Sequence, residues 1–105
     1  MLSEETKEGM KRAEDKANRV HENWSTKAER FLMRSLKRRK HPFMTEDLRT
    51  ASKRSVPPPP SNRAWGGVIH RAASNGYIKR VGVKSVKNKK AHGAYATVWR
   101  STITY

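Results

Sequence analysis

The chain has no cysteine, which removes disulfides, thiolate metal sites and cysteine nucleophiles at once and fits a reducing compartment. Long apolar runs are also missing, and the opening segment MLSEETKEGMKRAEDK has neither a membrane span nor the apolar heart of a secretory signal, so the expected location is cytoplasmic. The most informative shortage is of acid. After Asp47 the remaining 58 residues hold twelve Lys and Arg and no carboxylate. Such a half cannot build an acid–base pair, a two-metal phosphoryl-transfer site or a calcium site. The four histidines, His21, His41, His70 and His92, are scattered without metal-ligand spacing. No catalysis, cofactor, metal or small-molecule substrate is therefore expected.

What is present is positive charge on a short chain. Twenty-four Lys and Arg against nine Asp and Glu leave a net +15 on 105 residues, a length suited to one small domain and an extension. The imbalance is graded. Residues 1–20 carry five charges of each sign, and residues 21–47 carry seven cations against Glu22, Glu29, Glu46 and Asp47. A field of this kind attracts a polyanion, nucleic acid foremost. Aromatics are few, 8% of residues, yet three Trp, three Tyr and two Phe suffice to seed a core.

Met10, Ala13, Ala17, Val20, Trp24, Ala28, Phe31 and Ser35 recur in steps of three and four, which predicts one long helix. Ser3 supplies an N-cap with Glu4 and Glu5 in the first turn, Lys37 to Lys40 suit its C-terminus, and His41-Pro42 stops it. The early stripe is Met and Ala while the later one contains Trp24, Phe31, Leu32 and Leu36. Residues 1–20 thus read as a helical extension projecting as an arm, either solvated or pairing with a second copy in a homodimer. Phe43 reads as a short extended piece, and Thr45 as the N-cap of a short helix through Ala51. Pro57 to Pro60 read as a stiff spacer, ahead of a ligand for an aromatic-lined groove.

Ser61 caps a third helix over residues 62–74, closed by Asn75-Gly76. Trp65, Val68, Ile69 and Ala72 form its apolar face and are expected to pack on Phe31, Leu36, Leu48 and Ile78. Gly66-Gly67 costs about 1 kcal/mol per residue in helix propensity, so another surface should approach closely there, whether a ligand or a neighbouring helix. Residues 77–81 and 94–100 read as the strands of an antiparallel hairpin, with a basic loop from Gly82 to Gly93 and a short tail at 102–105.

Helix, short strand, short helix, turn, capped helix and basic hairpin is the order of an α+β winged helix, here spanning residues 21–101 behind the N-terminal extension. In that order the third helix enters the major groove of double-stranded DNA and the wing grips the backbone. Ser61, Asn62, Arg63, Gly67, His70 and Arg71 would then face DNA, with Asn and Arg suited to adenine and guanine edges. Lys84, Lys87, Asn88, Lys89, Lys90 and His92 of the wing would hold phosphates.

Pro42-Phe43-Met44-Thr45-Glu46-Asp47-Leu48-Arg49, the proline run, Arg63-Ala64-Trp65-Gly66, Ala72-Ala73-Ser74-Asn75-Gly76-Tyr77-Ile78, Val81-Gly82, Ser85, His92 and Val98-Trp99-Arg100 together resemble small winged helix-turn-helix proteins of phages and prophages. The resemblance covers roughly residues 24–100 and leaves out the arm and the length of the proline run. It implies a DNA-binding regulator of transcription or replication, working in a bacterial host cytoplasm in association with the nucleoid. Two other partners fit the charge. One is RNA, although no RNP-like aromatic strand or GXXG loop is present. The other is an acidic host protein, bound by a phage-encoded adaptor.

Overall fold

The single helix predicted from the three-and-four rhythm is broken in two. The computed structural model describes residues 4–85 and 95–104, in the order α1 (Glu4–Val20), α2 (Trp24–Arg38), α3 (Thr45–Ser52), α4 (Arg63–Ser74), β1 (Ile78–Ser85) and β2 (Tyr95–Ser101). An unbroken rod of 35 residues at about 1.5 Å each would exceed 50 Å, whereas the molecule extends 33 × 33 × 26 Å. The break is chemically specified at Asn23, whose φ of 57° is left-handed, a conformation Asn tolerates better than most residues. Asn18 braces the corner by accepting the Ser25 amide on Oδ1 and donating from Nδ2 to Ser25 Oγ, both at 2.9 Å.

The sharp turn brings α1 back across α4, so residues 1–20 do not project as an arm. Ala17 is fully buried and Ala13 packs against the core. The Met and Ala face, expected either to be solvated or to pair with a second copy, packs within the chain. Glycine makes the approach possible, because a Cβ on Gly66 would overlap Met10 Sδ and one on Gly67 would overlap Glu14 Oε1.

Beneath this cover lies one core. Trp24 and Trp65 meet edge to face, centroids 5.4 Å apart and planes at 78°, with Leu32, Leu36, Leu48, Val68 and Ile78 buried around them. Of the four residues expected under α4, Phe31 alone is only partly buried. The Trp24 indole donates to the Pro57 carbonyl at 2.8 Å, which ties the proline run to α2 and satisfies a polar atom that burial would otherwise penalise.

The starts of α3 and α4 each differ from expectation by one residue. Met44, not Thr45, stands at the α3 cap, and its amide is accepted by Asp47 at 2.9 Å. At α4, Asn62 stands at the cap and the helix starts at Arg63, whose amide donates to Ser61 Oγ at 3.3 Å. Gly76, with φ 79°, lets Gly76 N–H reach Ala73 O and Tyr77 N–H reach Ala72 O, the paired bonds that end a helix in a left-handed turn.

β1 and β2 form an antiparallel pair from Ile78↔Ser101 to Ser85↔Tyr95, with a bulge between Arg80 and Gly82. Strand β1 therefore continues through Ser85, and Gly82 to Ser85, including Lys84, belong to the ladder instead of the loop. Phe43 joins the other edge of β2 through reciprocal bonds with Trp99 of 2.9 and 2.8 Å. The segment after β2 is tied down, with Thr102 N–H on Tyr77 O and Thr104 Oγ1 on Arg39 O. It is no loose tail. No described helix is long and apolar enough to cross a membrane.

Candidate nucleic-acid interface

Two outward surfaces carry cations of the acid-free half, Lys79, Lys84 and Arg100 on one and Arg49 and Arg63 on the other. The first is the hairpin. Ile78 and Ser101 are buried and Trp99 is partly buried, so the alternation of the ladder turns Lys79, Arg100 and Lys84 to the opposite, outer face. Lys79 lies directly across from Arg100. Like charges so placed destabilise a strand pair, and neither is paired with a carboxylate among the described residues.

The second surface is the start of α4. Asn62 and Arg63 are exposed there, and they border a cleft of about 560 Å³ with Thr6, Met10, Thr45 and Arg49. Arg49 comes from α3, one turn after Thr45, and sequence patterning offers no reason to single it out. Its approach to Asn62 comes only from the packing of α3 on α4. A guanidinium on each helix beside an Asn amide offers planar donors to phosphate or base edges.

The middle of α4 is otherwise engaged. Arg71 donates from Nη1 and Nη2 to the two oxygens of Glu14, at 2.9 and 2.6 Å, and from Nε and Nη2 to Glu29 Oε1 at 3.0 and 2.7 Å. Ser25 Oγ also donates to Glu14. Burial pushes the Glu14 carboxyl up, but the Arg71 and Ser25 hydrogen bonds and the Arg71 charge overcome this and hold it below its ordinary value. The Glu14 hydrogen bond likewise raises Arg71, against its own burial. Gly67 and Arg71, expected to face DNA, instead receive α1: the glycine accommodates the Glu14 carboxylate and the arginine neutralises it. His70 remains exposed. Lys87, Asn88, Lys89, Lys90 and His92 lie outside the described residues.

Among the described residues no group of three or more His, Asp or Glu is placed to hold a metal ion, and no buried side-chain nitrogen or oxygen lacks a partner. Comparison with protein-family models, with curated proteins and with solved structures finds no match to the chain.

Proposed function

We propose that the protein binds double-stranded DNA in the manner of a winged helix, with the exposed start of α4 at the groove and the outer hairpin face on the backbone. The observation that carries this reading is the Lys79–Arg100 pair, two like charges held opposite each other with Lys84 on the same face and no compensating acid in the second half of the chain. A phosphate backbone relieves that repulsion. The order of elements supports the same reading, because α2, Phe43, α3, α4, β1 and β2 follow one another as in a winged helix, with Phe43 paired to the second hairpin strand. The cover over Gly66, Gly67 and Arg71 shifts the reading end of α4 to Asn62 and Arg63, joined by Arg49. Recognition helices place their N-terminal residues on base edges, so this end-on approach suffices. Control of transcription or replication in a phage is the role that the motif resemblance attaches to such binding.

The test is titration of a labelled duplex at several salt concentrations. Affinity should fall by roughly 10³ to 10⁵ between 50 and 200 mM salt if six to ten phosphates are engaged. Replacing Lys79 and Arg100 by Ala should weaken every sequence alike and flatten the salt slope by about 0.9 for each phosphate no longer neutralised. Replacing Asn62 or Arg63 by Ala should cost about 1 to 3 kcal/mol on a selected site and far less on random DNA. Salt-independent binding, preference for RNA, or binding to acidic protein alone would overturn the proposal.

A further inference from the structure

The DNA-binding reading leaves one flank of α2 unused. At 100° per residue, Trp24, Ala28, Leu32 and Leu36 occupy the buried face of α2, and Glu29 and Met33 occupy the flank turned to α4. Phe31, Ser35 and Arg38 fall on the opposite flank, with Arg34 at its outer edge. There the helix borders a cleft of about 360 Å³, lined by Phe31, Arg34, Ser35, Arg38 and, from the segment after α3, Ser55.

The composition of this cleft is one-sided. Arg34 and Arg38 stand one turn apart, a like-charge spacing that disfavours the helix. Neither forms an ion pair among the described residues. The sole carboxylate within α2, Glu29, lies on the other flank and is bound to Arg71. Both arginines are exposed. Arg34, Arg38, Ser35 and Ser55 thus line a recess without a carboxylate, together with the partly buried Phe31. Arginine forks match the oxygens of a phosphate in pairs, serine hydroxyls donate to the remaining oxygens, and an aromatic face suits the adjoining sugar.

We propose that this cleft is a second phosphate site, which grips a phosphodiester of the nucleic-acid backbone on the flank of α2 turned away from α4. The proposal rests on the DNA-binding reading and extends the footprint to a surface that neither the hairpin nor α4 supplies. It assigns Arg34 and Arg38 as phosphate ligands and Ser35 and Ser55 as supporting donors.

The experiment compares full-length wild type with Arg34→Gln/Arg38→Gln by duplex titration across salt, with thermal melting to verify folding. Both side chains are exposed, so the melting temperature should hold. In 0.1 M salt each phosphate that the variant no longer holds should weaken binding about eightfold, equally for all sequences, and lower the salt slope by about 0.9. An Arg34→Lys/Arg38→Lys variant, which keeps the charge and removes the fork, should recover the slope and only part of the affinity. In wild type, short duplex should shift the amide resonances of Ser35 and Ser55. If the Gln variant binds with unchanged affinity and slope, and those amides do not move, the second site is wrong while the DNA-binding reading stands. If wild type binds no nucleic acid, both fall together.

Discussion

At Gly67 a steric clash opposes and outweighs a gain in helix propensity. Alanine there would gain about 1 kcal/mol of helix propensity, yet its Cβ would overlap Glu14 Oε1, an atom of the carboxylate that Arg71 and Ser25 hold in place. Gly67→Ala should therefore lower the melting temperature in wild type and raise it in a Glu14→Ala background. Equal shifts in the two backgrounds would mean that the carboxylate does not set the helix spacing. The Glu14 carboxyl also makes the attachment of α1 sensitive to pH. Its value is held below the ordinary one, so its contribution is complete above the ordinary carboxylate range and is lost as pH falls through the folded value. The stability difference between wild type and Glu14→Gln should accordingly shrink below about pH 4, as measured by melting at successive pH values. Trp65 is the plainest packing residue. With its ring 1% exposed and set against Trp24, Trp65→Ala should cost about 3 to 5 kcal/mol in chemical denaturation.

Among the elements, α1 behaves least as its composition implies. Its five charges of each sign read as a solvated helix, and its outer face is solvated, but Met10, Ala13, Glu14 and Ala17 form a narrow inner face cut to the glycine notch of α4. Small residues on both helices allow close approach, so little apolar bulk was needed. The end of α4 is a second local device with a global consequence. Gly76 at φ 79° sets the direction in which β1 leaves the helix. Gly76→Ala should lose about 1 to 2 kcal/mol, since the strain of the left-handed conformation is not relieved by any new packing. A loss under about 0.5 kcal/mol on thermal melting would show that the turn can relax.

For the whole molecule, a net +15 on a small surface is a source of self-repulsion that a polyanion removes. Duplex DNA at a hundred times its Kd should stabilise the folded state by about 2.7 kcal/mol, seen as a rise in melting temperature. An unchanged melting temperature at saturating duplex would show that DNA grips folded and unfolded chains alike, by charge without shape. The cations are not spread evenly. The hairpin face, the start of α4 and the far flank of α2 hold theirs without a carboxylate paired to them among the described residues, whereas Arg71 is paired with two carboxylates.

Local pattern was sufficient for much of this protein. The apolar period of α2 and α4, the Ser61-Asn62 start of α4, the Asn75-Gly76 stop and the β-rich segments of the hairpin each act over a few residues, so they are legible in order along the chain. The excess of cations and the shortage of acid are likewise properties of composition. The third dimension decided where α1 goes, because its stripe of Met and Ala names a face but no partner, and Glu14 meets Arg71 across 57 residues of chain. It also decided that Arg71 and Gly67 serve packing while Arg49, on another helix, stands beside Asn62. Contacts of that range depend on how the helices cross, and crossing angles are set by the fit of whole faces, which no short window of sequence contains.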